Sequence, residues 1–229
     1  MDFSTFQVIT FDCYGTLIDW EAGILGALHP ILSAHGAHLG EREILRLYGE
    51  IEREEESGGY RDYKEILRSV VRAFGRRLRF EPSEKEAQSL PDSLAQWQPF
   101  PDTVPALGRL KSRFQLGIIS NIDDDLFRRT SRLLGVDFDY VITAAQAQAY
   151  KPSLEIFRLA EKRIAPGRDE WLHAGQSLYH DVVPAQSLGI STVWVNRPSA
   201  HPNAVAQGPF SARPDAEVRN LEALAALAC

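Results

Sequence analysis

The sequence predicts an α/β protein: a parallel sheet with helices on both faces, interrupted by an all-helical insertion. Short apolar runs alternate with helical patterns after residue 98, and this alternation is typical of a covered parallel sheet. A further apolar run, VITFD, stands near the N-terminus. Residues 17–97 contain no convincing strand, which indicates a helical module inserted after the first strand.

The predicted strands are apolar runs bounded by polar or turn residues, as expected of buried strands. In chain order they are VITFD (8–12), QLGIIS (115–120), the weaker YVIT (140–143), WLHAG (171–175) and STVWVN (191–196). Helical patterns occupy 102–112, 123–135, 153–164 and 179–188. Gly135 and Gly189 stand where helices commonly end.

The insertion shows three helical stretches, at 20–35, 40–56 and 60–79, with a fourth after Pro82. The second stretch has an amphipathic pattern, and its charge run Glu52–Glu56 is interpreted as a solvated helix surface. The proline-rich QWQPFPDTVPAL (96–107) is interpreted as the return of the chain into the sheet domain.

The composition of the chain argues against several classes of function. The net charge of −6 among 229 residues gives no electrostatic reason to expect nucleic acid or an anionic membrane as a partner. No apolar run approaches the roughly 18 residues of a membrane span, and the N-terminus lacks the basic region of a signal peptide. The two cysteines, Cys13 and Cys229, fit a reducing cytoplasm better than a structural disulfide. No histidine or positive charge adjoins Cys13 in the sequence, so a cysteine nucleophile is not favoured.

Polar residues stand at the predicted strand ends. Asp12 ends the first strand, Ser120 and Asn121 end the second, and Lys151 and Asp181 follow the next two. The later ones are spaced by about thirty residues, one strand-plus-helix unit, so all should meet at the carboxyl edge of the sheet, where such folds bind ligands. Taken singly, each has an alternative role as a cap, a helix start or a solvated side chain; jointly they favour a catalytic site.

These motifs resemble those of the haloacid dehalogenase-like hydrolase superfamily. The carriers are DxxGT after the first strand, SN at the second, YKP, and GxSxxxDVxxAxxxGxxTVWVNR. The resemblance covers essentially the whole chain. It implies a Rossmann-like catalytic core of residues 1–16 and 98–229, with residues 17–97 as an all-helical cap.

Two departures from the superfamily's phosphatases bear on the chemistry. Those enzymes carry a second aspartate two residues after the nucleophile, where this chain has Tyr14, and commonly Gly-Asp-Ser where it has Gln176. An alkoxide leaving group needs an acid, but a halide does not. Gln is also a poorer magnesium ligand than a carboxylate. Both departures favour carbon–halogen cleavage without metal or cofactor.

The pattern DxYGT is also that of the superfamily's 2-haloacid dehalogenases, and the resemblance implies roles position by position. Asp12 corresponds to the nucleophile and Thr16 to the threonine that orients it. Lys151 corresponds to the lysine paired with the nucleophile, and Asp181 to the aspartate that helps activate water.

The substrate-binding set implied in the same way is broader. Tyr14 corresponds to the pocket tyrosine, and Ser120 with Asn121 to the pair that binds the substrate carboxylate and halogen. Three further candidates replace the usual residues before the last aspartate: Gln176, Ser177 and His180. His180 is either a helix-surface residue or a pocket residue. The halide-binding arginine of the cap has three candidates, Arg42, Arg46 and Arg61, between which the register does not decide.

The preferred hypothesis is metal-independent hydrolysis of a 2-haloalkanoic acid through an ester on Asp12. The alternatives are a phosphatase or other small-molecule hydrolase with the same nucleophile, and a binding protein that has lost activity. The expected partner is a small halocarboxylate, and the resemblance makes a homodimer possible.

Overall fold

The computed structural model describes residues 1–199 and 212–229, and the chain divides into two compact units. Met1–Asp19, Gln98–Pro198 and 212–229 belong to the first unit, and Trp20–Trp97 with Ser199 to the second. Leu17–Asp19 stay with the first unit because Ile18 bridges to Tyr14 and Pro99. The second unit therefore begins a few residues after the predicted start of the insertion.

The first unit is built on a six-stranded sheet in the order β3-β2-β1-β4-β5-β6. All five neighbouring pairs are parallel, which confirms the predicted α/β class. The strands are β1 (Val8–Phe11), β2 (Gln115–Ser120), β3 (Tyr140–Thr143), β4 (Trp171–Gly175), β5 (Ser191–Val195) and β6 (Ala216–Val218).

β1 lies between β2 and β4, and all four of its residues are buried. A strand covered on both faces needs a continuous apolar run rather than an alternating one, and VITF meets that need. Because parallel strands end at the same edge, the residues after β1, β2 and β4 meet there.

Among the residues that the structure describes, six α-helices accompany the sheet: α5 (Thr103–Lys111), α6 (Asp124–Thr130), α7 (Ala144–Ala147), α8 (Leu154–Arg163), α9 (Val183–Ser187) and α10 (Leu221–Ala228). The helix predicted at 179–188 begins instead as a π-helical turn, Leu178–Val182. Pro184 has no N–H for the carbonyl four residues earlier, so a regular α-helical ladder is interrupted there. Neither β6 nor α10 was predicted from the sequence.

The described part of the second unit, Trp20–Trp97 and Ser199, contains four α-helices, as predicted: α1 (Trp20–Ala34), α2 (Glu41–Glu56), α3 (Tyr63–Leu78) and α4 (Glu84–Ser93). A capping box in which Ser83 and Glu86 bond reciprocally begins α4. In the described parts of the chain, no helix is long and apolar enough to cross a membrane.

The interpretation of the α2 charge run as a solvated surface holds for part of the run but not for Glu52. Arg53 and Glu54 are exposed, as a solvated surface requires, but Glu52 is only partly exposed. Its Oε1 accepts hydrogen bonds from the hydroxyl groups of Tyr48 at 2.7 Å and Tyr63 at 2.6 Å. Both tyrosines are buried apolar-face residues, and their polar ends need an acceptor there.

Candidate active site

Lys151 stands at the centre of the polar residues at the carboxyl edge of the sheet. Its ammonium Nζ donates to Asp12 Oδ1 at 2.8 Å and to Asp181 Oδ1 at 2.6 Å. A third bond, at 2.9 Å, goes to the carbonyl of Ile119 at the end of β2. All three donor positions of this buried ammonium are therefore used. The structure thus brings together three of the four residues predicted to be catalytic.

The fourth, Thr16, holds the other side of the Asp12 carboxylate. Its hydroxyl donates to Asp12 Oδ2 at 2.9 Å, and it accepts from the backbone N–H of Gln176 at 2.9 Å. The chain returns Thr16 to Asp12 through Gly15, whose φ of +97° favours a residue without a Cβ. The backbone N–H of Asp12 is bonded to Ala174 of β4 at 3.0 Å. Both oxygens and the main chain of Asp12 are thus held in place.

Asp181 is held by three different groups. Besides Lys151, its Oδ1 faces His173 Nε2 at 3.4 Å, and its Oδ2 accepts the backbone N–H of Ser177 at 3.2 Å. A Cβ at Gly175 would lie 2.4–2.5 Å from atoms of the Asp181 side chain. Only glycine therefore leaves room for the carboxylate where β4 ends.

The three charges shift one another's ionisation. Burial raises the pKa of Asp12 above its ordinary value; attraction to Lys151 opposes this rise, and repulsion from Asp181 adds to it. Burial acts in the same sense on Asp181, but Lys151 and His173 overcome it and hold the pKa of Asp181 well below the ordinary range. Burial lowers the pKa of Lys151, yet the two carboxylates leave it raised overall. The ammonium therefore stays charged.

Asn121 and Ser120 stand beside this centre. The Asn121 side chain accepts from the backbone N–H of Lys151 at 2.7 Å and donates to the Lys151 carbonyl at 3.1 Å. This two-point contact holds the loop that carries the lysine. Ser120 is buried at the end of β2. That the pair binds a substrate carboxylate and halogen stays a prediction.

The other candidates of the first unit lie at the same edge. The Tyr14 hydroxyl is 2.8 Å from Thr130 Oγ1. Ser177 Oγ accepts the backbone N–H of His180 at 3.1 Å and lies 3.1 Å from His180 Nδ1. The carbonyl of Gln176 accepts from the indole of Trp194 at 2.9 Å. His180 is partly exposed within the π-helical turn, and the choice between a helix-surface residue and a pocket residue stays a prediction.

The candidate halide-binding arginines belong to the second unit. Arg42 and Arg46 are exposed, and Arg46 pairs with Glu50 at 2.5 Å within α2. Arg61 donates to the Glu55 carboxylate at 2.8 Å and to the Glu55 carbonyl at 2.9 Å. Two of the three are thus already ion-paired within their own unit. The choice of a halide-binding arginine stays a prediction.

Sequence reasoning missed two groups of buried polar residues. His173 lies under Asp181, and its Nδ1 is 2.8 Å from Thr10 Oγ1. Arg197 donates to the Thr16 carbonyl at 2.7 Å and makes a two-point ion pair with Asp102 at 2.9 and 3.0 Å. Both residues could have been found by the criterion that identified Asp12, because each is a polar or charged residue inside or just after an apolar strand.

The donor set fits a magnesium ion poorly. Tyr14 and Gln176 occupy two positions at which the superfamily's phosphatases carry carboxylates. The two carboxylates that are present, Asp12 and Asp181, each bond Lys151 through Oδ1. Within residues 1–199 and 212–229, no three His, Cys, Asp or Glu side chains are grouped as metal ligands.

Comparison with known proteins agrees with the motifs. A family model described as haloacid dehalogenase-like hydrolase matches residues 6–189. The (S)-2-haloacid dehalogenase of Pseudomonas fluorescens is 27% identical over 223 residues, which cover 94% of this chain and 93% of that enzyme. The glyceraldehyde 3-phosphate phosphatase of Methanocaldococcus jannaschii is 34% identical over 101 residues, which cover 42% of this chain and 43% of that enzyme.

A solved structure has the same fold. The L-2-haloacid dehalogenase from Xanthobacter autotrophicus with chloropropionic acid covalently bound matches with a TM-score of 0.82 and 21% sequence identity. The match covers 97% of this chain and 98% of that one. At that identity the likeness concerns the fold alone.

Proposed function

The chain belongs to the haloacid dehalogenase-like hydrolase family, and we propose that it hydrolyses the carbon–halogen bond of a 2-haloalkanoic acid. The observation that carries the proposal is Tyr14, which stands two residues after Asp12 and whose hydroxyl lies 2.8 Å from Thr130 Oγ1. Burial raises the pKa of this phenol well above its ordinary value, so it is a weak acid. A halide leaves without a proton, whereas an alkoxide requires one. The (S)-2-haloacid dehalogenase relative supports the same choice of substrate.

In the first step, an oxygen of the Asp12 carboxylate attacks carbon 2 of the substrate. The new carbon–oxygen bond forms as the carbon–halogen bond breaks, and the halide leaves with the bonding electron pair. Lys151 and Thr16 each hold one Asp12 oxygen, which restricts rotation of the carboxylate and lowers the entropic cost of alignment. Backbone and side-chain donors around Ser120 and Asn121 bind the substrate carboxylate.

In the second step, water attacks the carboxyl carbon of the Asp12 ester. Asp181 accepts the water proton, and the ammonium of Lys151 stabilises the negative charge that develops on the tetrahedral intermediate. Collapse of this intermediate breaks the bond between the Asp12 carboxyl carbon and the ester oxygen. The departing alkoxide takes the proton that Asp181 accepted, and a 2-hydroxy acid is released. The hydroxyl oxygen of the product therefore comes from Asp12, and one water oxygen stays in the regenerated carboxylate.

In this proposal the two parts of the chain have different roles, and the reaction does not use a metal ion. Residues 1–16 and 98–229 form the catalytic core, and residues 17–97 form the helical cap that carries the halide-binding arginine. The poor fit of the donor set to magnesium supports metal independence. A cytoplasmic location and a homodimer stay predictions.

A side-by-side assay tests this function. Halide release from 2-chloropropionate and phosphate release from a panel of phosphate esters are measured with and without EDTA. We expect halide release that EDTA leaves unchanged. Phosphate release that EDTA abolishes, with no halide release, would overturn the proposal.

The second candidate is a phosphate-ester hydrolase. The glyceraldehyde 3-phosphate phosphatase relative favours it, since its identity to this chain is higher, though over less than half the length. This candidate requires an acid for the leaving alkoxide, and Tyr14 stands where that acid is expected. The same assay separates the two.

A further inference from the structure

His173 is a buried polar residue in a strand that is otherwise apolar. It lies in β4, is 1% exposed, and packs edge-on against Phe157 with ring centroids 5.1 Å apart. A buried imidazole is costly unless its nitrogens are hydrogen-bonded. Both of them have partners, Thr10 on one side and Asp181 on the other.

The partners of His173 indicate which nitrogen carries the proton. The indole N–H of Trp171 donates to Thr10 Oγ1 at 2.8 Å, so the threonine oxygen already accepts one bond. The hydroxyl hydrogen of Thr10 has two acceptors in reach: His173 Nδ1 at 2.8 Å and the Leu172 carbonyl at 3.5 Å. The shorter contact favours donation to Nδ1. In the neutral ring the hydrogen is then on Nε2, which points at Asp181.

The acceptor capacity of Asp181 is nearly filled. Oδ1 accepts from Lys151 at 2.6 Å and from His173 at 3.4 Å, and Oδ2 accepts from the Ser177 N–H at 3.2 Å. A carboxylate has about four acceptor directions. One direction at Oδ2 is therefore left for a further donor, and the packing of Asp181 against Gly175 limits its movement.

We propose that His173 is a positioning residue for ester hydrolysis: anchored by Thr10 and Trp171, it fixes the Asp181 carboxylate so that the remaining acceptor direction at Oδ2 receives the proton of the attacking water. The inference rests on the proposed two-step function. It concerns the second step alone, because His173 makes no contact with Asp12 among the described hydrogen bonds.

Two amide substitutions at His173 test its two hydrogen bonds, to Thr10 and to Asp181, one at a time. In His173→Asn the amide oxygen can lie near the position of Nδ1 and accept the Thr10 hydroxyl, so contact with Thr10 is retained and the donor to Asp181 is lost. In His173→Gln the longer side chain places an amide nitrogen near the position of Nε2, which restores that donor. The pair changes polarity little, and a urea titration checks that both variants are folded.

The kinetic readout distinguishes the two steps. With 2-chloropropionate in rapid-quench flow, the first-turnover burst of halide reports attack by Asp12, and the steady-state rate reports ester hydrolysis. We expect His173→Asn to keep the burst and to lose about 10²-fold in steady-state rate, the scale of a misplacement of about 1 Å. The covalent ester should then accumulate in intact-protein mass spectra, and His173→Gln should recover most of the rate.

Two outcomes would overturn the inference: equal loss of the burst and of the steady-state rate, or no change in either. Thr10→Val, which removes the hydroxyl that orients Nδ1 at nearly constant volume, supplies a second variant if His173→Asn does not fold. It should accumulate less ester than His173→Asn but more than the unsubstituted protein, and the absence of any accumulation would contradict the proposed role.

A separate measurement distinguishes this inference from the proposed function. The pKa of Asp181, followed by ¹³C NMR of its carboxyl carbon, should be higher in His173→Asn than in the unsubstituted protein, because a donor to the ionised form is lost. If the unsubstituted protein releases no halide but this rise is seen, the dehalogenase proposal fails and the positioning of Asp181 stands. An unchanged pKa contradicts the positioning role whatever the substrate.

Discussion

The charges at the sheet edge and the charges of the helical unit are organised in opposite ways. Lys151, Asp12 and Asp181 are all buried. The two carboxylates share the Lys151 ammonium, which lies 2.8 Å from Asp12 and 2.6 Å from Asp181. On α2, Arg46 and Glu50 form a pair whose side chains are 50% and 41% exposed. Breaking a buried pair costs much more than breaking an exposed one, because a charge is left without solvent or partner. Burial therefore marks the charges that the structure depends on.

Glu52 stands between these extremes. It belongs to the charged run of α2, yet two buried tyrosine hydroxyls bond to it, and burial raises its pKa although those hydroxyls oppose the rise. The comparison thus predicts a graded response: loss of activity at Asp12, loss of stability at Lys151, and small changes of stability at Glu52.

The largest effect is expected from Asp12→Asn. The amide fills the same space and cannot form the ester, so halide release should fall by about 10⁶-fold, the scale seen when a covalent nucleophile is removed. Lys151 keeps its contact with Asp181, so the variant should remain folded by circular dichroism. The exposed Asp169→Asn serves as a control with normal activity.

Isotope labelling checks the same residue without substitution. A single turnover in ¹⁸O-water should leave the label in Asp12 and unlabelled oxygen in the product, because water attacks the ester at the aspartate carbon. Label in the first-turnover product would mean that water attacks the substrate directly.

The next effect concerns stability. Lys151→Met leaves two buried carboxylates facing each other, and we expect a loss of about 3–5 kcal/mol in the free energy of unfolding. In the matched control, Lys111→Met breaks a partly exposed pair with Asp139 and should cost about 0.2–1 kcal/mol. Urea unfolding at neutral pH measures both. Equal losses would show that burial does not distinguish the two pairs.

A third prediction concerns pH. Asp12 attacks only when ionised, and its pKa lies above the ordinary 3.8 because of burial and, in part, repulsion from Asp181. The first-turnover rate should therefore rise with pH through a midpoint above that value. Asp181→Asn removes the repulsion and should move the midpoint down. Thr16→Val removes a hydrogen bond to the ionised form and should move it up. A midpoint that neither substitution moves would assign the titration to another group.

The smallest effect is expected at Glu52. Its pKa in the folded state is raised above the ordinary 4.5, so ionisation opposes folding; the cost is absent below that value and grows as the pH rises through the raised pKa. Glu52→Gln keeps an oxygen for both tyrosines and removes this cost. The free energy of unfolding of Glu52→Gln, measured relative to that of the unsubstituted protein, should therefore increase as the pH rises. Glu43→Gln, an exposed change on the same helix, should show no such trend in urea titrations at several pH values.

Local sequence patterns were enough to predict much of the architecture. The apolar runs located five of the six strands, and YVIT became a strand with the predicted bounds, Tyr140–Thr143. Asp12, Lys151 and Asp181 could be found because a polar residue at the end of a buried strand is conspicuous and parallel strands end together. The three-residue strand Ala216–Val218 has too little pattern to predict, and the helix after it, LEALAALA, is too short and uniform.

The pairing of the buried polar groups depends on how the elements pack in three dimensions. His173 reaches Thr10, and Arg197 reaches Asp102, across strands and loops that are far apart in the chain. The hydrogen bonding of Glu52 likewise depends on the neighbouring helix α3, which supplies Tyr63. Periodicity and turn chemistry act over a few residues and can be read locally. A hydrogen-bond partner is set by the distance between atoms after packing, which no local pattern contains.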